Sequence, residues 1–149
     1  MSAIILLVAL VASAFFSGSE IAFLSANRLQ LEIDLKRKTI PFWVTHWMQH
    51  PQRFIVTMLV GNTLALVVVG AQTSQLLHPF LLKFMQVPLA VLTETLVSTI
   101  VVLFLAEYIP KALFREQANA AFKWVVVPSG IFYILFWAIT WLLGHFSAF

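Results

Sequence analysis

Long apolar segments alternate with charged segments along the chain. Apolar residues dominate four blocks, which cover residues 3–26, 54–76, 87–110 and 125–146. A helix needs about 20 residues to cross the roughly 30 Å of hydrocarbon in a bilayer, whereas a membrane β-strand needs only about 9–11. The first three blocks show no two-residue alternation, so they predict three transmembrane helices. The pattern therefore indicates an all-α integral membrane protein.

The fourth block, residues 125–146, is open to two interpretations. Nothing basic follows Lys123, so counting charges allows this block to cross the membrane. Its many Trp and Phe residues would equally suit a helix that lies in the membrane interface. Pro128 is a residue type that often starts a helix, which predicts that the helix of this block begins there.

Basic residues are concentrated in two of the loops. Residues 27–53 hold five Lys and Arg, residues 110–124 hold three, and residues 77–86 hold only Lys83. Because Lys and Arg accumulate in cytoplasmic loops, the loops at residues 27–53 and 110–124 are predicted to be cytoplasmic. The N-terminus is then predicted to lie outside. Basic residues that flank spans, rather than line one long face, argue against binding to nucleic acid.

The loop at residues 27–53 is predicted to form short helices on the cytoplasmic surface, interrupted at Pro41 and Pro51. His46 and His50 are four residues apart and would share one helical face. That spacing is compatible with a metal ion, but histidines beside tryptophans also serve as ordinary polar residues at a membrane surface. The residues alone leave both interpretations open.

Composition excludes a water-soluble domain. The 149 residues are 61% hydrophobic and 10% charged, against roughly 45–50% and about 25% for an ordinary soluble domain. The chain has no cysteine, which excludes disulfides, thiolate metal sites and cysteine nucleophiles. The first block could imitate a signal peptide with a cleavage site at 12–14. It lacks a basic start and stays apolar to Ala26, which favours a retained span.

Three polar residues lie inside the predicted spans at similar depth. Ser17, Asn62 and Glu107 are four to eleven residues from the basic residue that marks the cytoplasmic end of their helix. At about 1.5 Å per residue, all three fall in the cytoplasmic half of the membrane. They offer a hydroxyl, an amide and a carboxylate, and this set of oxygens suits a hard cation such as Mg²⁺.

Each of these residues also has a structural interpretation. Ser17 could allow close helix packing, and Asn62 could form a hydrogen bond between helices. Glu107 could pair with Lys111, four residues later on the same helix face. An assembly role for the polar residues therefore stays open beside the metal site.

Two other acidic residues fall within the predicted spans. Glu20 is three residues beyond Ser17 and is the weaker candidate for a ligand. Glu94 lies near the outer end of the third span, which favours a structural or vestibule role. The spans offer no His or Lys near Ser17 that could serve as a general base, so we do not expect an enzyme.

Three motifs, one on each predicted span, resemble the transmembrane domain of the CNNM/CorC family of magnesium transporters. They are FFSGSE at 15–20, GNT at 61–63 and EYIPK at 107–111, and the resemblance covers essentially the whole chain. It implies a homodimer with three membrane-crossing helices. It also implies that residues 125–146 form a juxtamembrane helix at the cytoplasmic surface, with a cytoplasmic C-terminus. The implied function is Mg²⁺ efflux, coupled in bacterial members to entry of Na⁺.

The resemblance also implies a set of metal ligands. Ser17 and Glu107 match the family's serine and acidic ligand positions. Many members carry a further asparagine on the second helix, where this chain has Leu66. Asn62, or the carbonyl or hydroxyl of Thr63, is expected to take its place.

Partners and location follow from the same resemblance. Family members continue into paired cytoplasmic CBS domains that bind nucleotide, and the expected location is the inner membrane of a bacterium. From the residues themselves, the competing function is a membrane anchor that transports nothing and whose polar residues serve only assembly.

Overall fold

The computed structural model describes residues 1–147, and all regular structure in that range is helical, which confirms the predicted fold class. Helices α1 (Ser2–Ser25), α2 (Arg28–Lys36) and α3 (Val44–Gln49) precede the long α4 (Pro51–Leu81). After a short loop come α5 (Val87–Val101), a π-helix (Val102–Tyr108) and α6 (Ile109–Glu116), which follow one another without interruption. Helices α7 (Ala118–Leu135) and α8 (Trp137–Ser147) complete the described chain.

Four helical segments in residues 1–147 are long and apolar enough to cross a membrane. Ser2–Ser25, Pro51–Leu81 and Val87–Glu116 contain or overlap the three predicted spans, and each is at least 24 residues long. The fourth, Ala118–Leu135, has 18 residues and overlaps the block that the pattern leaves open. The three predicted spans are thus all present as helices.

The basic loop at residues 27–53 folds into the short helices that its prolines predict. Asn27 begins α2 by accepting a hydrogen bond from the backbone N–H of Leu29 at 2.9 Å, as a good N-cap residue does. Pro41 lies outside any helix between α2 and α3. Pro51 is the first residue of α4, where its missing N–H costs nothing.

Helix α1 is the centre of the fold and packs against α4, the π-helix, α6 and α7. Two glycines permit this close packing. A Cβ atom at Gly61 of α4 would lie 2.5 Å from the ring of Phe16, and one at Gly18 of α1 would lie 2.7 Å from the ring of Phe114. Small residues let membrane helices approach closely, so these glycines bring both neighbours against α1.

Aromatic rings fill the core at the C-terminal end of α1. The ring of Phe54 lies 4.5 Å from that of Phe23 and 4.7 Å from that of Trp47, between ring centroids. Phe122 of α7 contacts the same group. Pairs at these separations attract beyond the effect of burial alone, so this cluster joins four helices.

Polar contacts attach the start of α7 to the basic loop that contains α2. The Lys123 ammonium lies 3.2 Å from the Asp34 carboxylate, whose side chain is only 3% exposed. The backbone N–H of Asn27 donates to the side-chain oxygen of Asn119 at 2.9 Å. A buried carboxylate left without its partner is strongly destabilising, so the ion pair holds α7 against α2.

The expectation that Pro128 starts a helix is wrong. Helix α7 begins at Ala118, and Pro128 lies in its interior. The ring removes one backbone hydrogen bond, but the helix continues because Phe122, Val126 and Ser129 are buried on both sides of it. The helix ends instead at Leu135, and α8 begins two residues later.

His46 of α3 and His50, the C-cap residue of that helix, lie next to each other. Nε2 of His46 is 3.2 Å from the Tyr133 hydroxyl, and the two imidazole rings are 5.0 Å apart. Burial, together with the neighbouring His50 and Arg53, lowers the pKa of His46 below its ordinary value. A neutral imidazole bonded to a tyrosine from α7 gives His46 a role in holding α3 against α7.

We expect Gly61→Ala to destabilise the protein and Gly70→Ala to leave it unharmed. The new methyl at residue 61 meets the packed Phe16 ring, whereas a Cβ at Gly70 of the same helix has nothing within 4 Å. Overpacking of this kind costs about 1–3 kcal/mol. Thermal unfolding in detergent, followed by tryptophan fluorescence, checks this. Equal melting temperatures for the two variants would contradict the proposed close approach.

Candidate metal centre

The third long helical segment, Val87–Glu116, is irregular where the EYIPK motif begins. Residues Val102–Tyr108 form a π-helix, and the backbone N–H of Ile109 bonds the carbonyl of Phe104, five residues back. Pro110, four residues after Ala106, has no N–H to give to the Ala106 carbonyl. This carbonyl is therefore released from the α-helical pattern. Short π-helical turns of this kind are frequent at functional sites.

A buried polar junction, formed by Ser13, Asn62 and the Ala106 carbonyl, joins three elements. The Ser13 hydroxyl lies 2.6 Å from the Asn62 side-chain oxygen and 3.3 Å from the Ala106 carbonyl oxygen. Ser13 is fully buried and Asn62 is 5% exposed. One hydroxyl on α1 thus faces two acceptors, one on α4 and one on the π-helix.

Ser17 lies one helical turn beyond Ser13 on the same face of α1. It is fully buried, and its hydroxyl oxygen has no hydrogen-bond partner among the described residues. Ser19 nearby is satisfied within its own helix, because its hydroxyl donates to the Phe15 carbonyl at 2.6 Å. A buried polar atom without a partner costs about 1–3 kcal/mol. Such an atom in a native structure commonly marks the place of a water or an ion.

Glu107 directly follows the released carbonyl. Its side chain is half-buried, and residues 1–147 contain no ion pair between Glu107 and Lys111. The pairing that sequence spacing allows is therefore not formed. An acid inside a membrane span is a functional candidate by default, and here it stands beside the polar junction.

The predicted ligands are not all brought together. Asn62 lies in the polar junction, Ser17 lies one turn away, and Glu107 begins next to the Ala106 carbonyl. Thr63 is different, because it is exposed and its hydroxyl donates to the Leu59 carbonyl of its own helix at 2.8 Å. The Thr63 hydroxyl therefore points away from the buried oxygens.

Ser13 is a site residue that the sequence analysis does not single out. Its only signal is the spacing of four from Ser17, which puts both hydroxyls on one face of α1. The partner that gives Ser13 its importance is Asn62, 49 residues away. That contact depends on the depth at which α1 and α4 meet.

The atoms in this region that could bind a metal ion are oxygens. Among the described residues no group of three or more His, Cys, Asp or Glu could hold a metal, so a zinc-type or copper-type centre is not indicated. Hydroxyl, amide and carbonyl oxygens beside a single carboxylate are instead the ligands of a hard cation.

The family of the chain follows from a comparison with known protein families. The family model of the Cyclin M transmembrane N-terminal domain (CNNM) matches residues 4–149. The chain belongs to the CNNM family. A comparison with curated proteins finds no match.

The CNNM assignment agrees with the chemistry of the site. A CNNM transmembrane domain is a transporter domain and not an enzyme, and the family implies transport of divalent cations, with Mg²⁺ as the transported ion. The CNNM match covers the π-helix, the polar junction and Ser17. A hard-cation donor set and a magnesium-transport family therefore coincide in one region of the chain.

We expect Ser13→Ala to lower the free energy of unfolding by about 1 kcal/mol, because it leaves the buried Asn62 oxygen without a donor. Ser19→Ala is the matched control, since its hydroxyl bonds only the Phe15 carbonyl of α1 and should cost less. Unfolding in detergent followed by circular dichroism gives both values. A double-mutant cycle of Ser13→Ala and Asn62→Ala should show a coupling energy. A coupling of zero would contradict the role of the junction.

Proposed function

We propose that the chain moves Mg²⁺ out of the cytoplasm through a site formed by Ser17, Asn62 and Glu107. The observation that carries this proposal is the fully buried Ser17 hydroxyl without a partner. A hydroxyl oxygen in that position is satisfied when it coordinates a cation. The Thr63 hydroxyl is not used, since it bonds the Leu59 carbonyl on an exposed face.

The chemistry of Mg²⁺ explains why both a charge and several dipoles are needed. Mg²⁺ gives up its waters reluctantly and prefers six oxygens in a regular arrangement. Glu107 supplies the charge that offsets the loss of water, and neutral oxygens from Ser17, Asn62 and the released Ala106 carbonyl complete part of the shell. Non-helical backbone carbonyls serve ions in the same way in transporters with broken helices.

Sodium-coupled export is part of the proposal. Moving a divalent cation outward against an inside-negative potential costs about 4.6 kcal/mol per 100 mV, which is twice the value for one charge. Export therefore needs a source of free energy. A second ion that moves inward can supply it, and resemblance to the family favours Na⁺. A homodimer and alternating exposure of the site are also favoured by that resemblance.

The competing function is a membrane anchor whose buried polar residues serve only assembly. The Ser13 hydrogen bond to Asn62 fits that function as well. The unpartnered Ser17 hydroxyl does not, because assembly alone leaves a buried polar atom unsatisfied. Replacement of the Glu107 carboxylate by an amide separates the two functions.

We expect Glu107→Gln to lower Mg²⁺ flux at least about tenfold, because the neutral amide no longer offsets dehydration of the ion. The control is Glu116→Gln, the same change at an exposed residue that ends α6, which should transport normally. Flux is measured in proteoliposomes that contain a Mg²⁺-sensitive dye, with binding measured in detergent. Unchanged Mg²⁺ binding in a folded Glu107→Gln variant would favour the anchor.

We further propose that α7 and α8 lie on the cytoplasmic side, with the N-terminus outside. The Asp34 to Lys123 ion pair and the His46 contact to Tyr133 support this arrangement, because both attach α7 to the loop with most basic residues. If α7 crossed the membrane, Tyr133 near its end would move away from His46, and this contact would be lost.

Cysteine labelling tests this topology, since the chain contains no cysteine of its own. We expect Ser147→Cys to react with an impermeant thiol reagent from the same side as Lys38→Cys. Lys83→Cys, in the loop between α4 and α5, should react from the opposite side. Labelling of Ser147→Cys together with Lys83→Cys would mean that the last helices cross the membrane.

A further inference from the structure

A second group of polar side chains lies between α4 and α5, along a cavity of about 390 Å³ that we call the outer cleft. Its polar lining residues are Ser74, Glu94, Thr95, Ser98 and Thr99, and apolar residues, among them Val102 and Leu103, extend it to the start of the π-helix. Ser74, which contacts Glu94, is twelve residues beyond Asn62 on the same helix, or about 18 Å at 1.5 Å per residue. The charged end of the outer cleft is therefore separate from the polar junction.

The charge in the outer cleft belongs to Glu94, whose side chain is 12% exposed. One carboxylate oxygen lies 2.9 Å from Nδ1 of His78, and the other accepts a hydrogen bond from the Ser74 hydroxyl. An ionised carboxylate has about four acceptor positions, so two hydrogen bonds leave capacity for a further ligand. Within residues 1–147, no Lys or Arg lines the cleft.

The hydroxyl groups of the outer cleft are oriented as acceptors. The Thr95 hydroxyl donates to the Val91 carbonyl at 2.9 Å, and the Thr99 hydroxyl donates to the Thr95 carbonyl at 2.8 Å. The Ser74 proton is likewise used by Glu94. Because these protons are directed to acceptors in the protein, the oxygens keep lone pairs for a ligand in the cleft.

Such a lining attracts a hard cation. We propose that the outer cleft binds an alkali or alkaline-earth cation through the Glu94 carboxylate and the hydroxyl oxygens of Thr95 and Ser98. The volume is large enough for an ion that keeps much of its water, since one water occupies about 30 Å³ in the liquid. Ser98 is four residues after Glu94 and shares its helix face.

This site goes beyond the proposed function, because binding in the outer cleft requires neither Ser17 nor Glu107. It also differs from the inner site in kind. Ser17 and Asn62 of the inner site are buried, whereas His78, which contacts Glu94, is 42% exposed. A cation therefore binds in the outer cleft with part of its hydration shell retained.

The test is the number of cations that the purified full chain binds. Saturable binding of Mg²⁺ and of Na⁺ is measured separately by equilibrium dialysis, in wild type, Glu94→Gln and Glu107→Gln. We expect Glu94→Gln to lose one binding site per chain and to keep the site that Glu107→Gln removes. An amide at residue 94 can accept from Ser74 through its oxygen and donate through its NH2 group to Nδ1 of His78, so the fold is expected to survive.

A pair of threonine variants keeps the test decisive if Glu94→Gln does not fold. Thr95→Val removes one oxygen of the cleft and preserves the shape of the side chain. Thr93→Val makes the same change at a hydroxyl that donates to the Leu89 carbonyl and does not line the cleft. We expect Thr95→Val to weaken cation binding about tenfold and Thr93→Val to leave it unchanged.

Two results would overturn the outer site. The first is that folded Glu94→Gln binds both ions with the stoichiometry of wild type. The second is that Thr95→Val and Thr93→Val bind with equal affinity. Loss of binding in Glu107→Gln alone, with both cleft variants unaffected, would leave the proposed magnesium site standing and remove the outer one.

Discussion

The hydrogen bond from Ser13 to Asn62 connects helices that are far apart in the chain, in a place where water cannot replace it. In a bilayer, each polar group inside the hydrocarbon needs a partner within the protein. Ser13 meets this requirement for α4 and also approaches the π-helix at the Ala106 carbonyl. The positions of Ser17 and Glu107 follow from this contact, because each lies within about a turn of one of its members.

Irregular backbone is concentrated where α1 covers it. The π-helix and Pro110 together release a carbonyl, which lipid would not tolerate at an exposed position. Ala106 and Pro110 are both buried, and α1 packs on the π-helix and on α6. Gly18 makes this packing possible by giving space to the Phe114 ring. The close packing of α1 and the irregular hydrogen bonding of the π-helix therefore occur at the same contact.

The residues predict much of this structure, because lipid imposes simple rules on sequence. Long apolar blocks identify the spans, and Pro41 and Pro51 locate the breaks in the basic loop at residues 27–53. Ser17, Asn62 and Glu107 stand out because polar groups in a membrane are costly. Contacts between helices are harder to predict from the sequence, since they depend on how one helix is rotated and shifted against another. Ser13, the outward-facing hydroxyl of Thr63 and the interior position of Pro128 belong to that class.

The length of α4 has a consequence for how the protein meets its membrane. Its 31 residues span about 46 Å at 1.5 Å per residue, which exceeds the roughly 30 Å of a hydrocarbon layer. Such a mismatch is relieved by tilting, by protrusion or by local thickening of the bilayer. His78 lies in the last turn of this helix, so the thickness of the surrounding lipid determines whether it meets headgroups or acyl chains. Lipid composition therefore affects the surroundings of His78 and of the Glu94 carboxylate that it contacts.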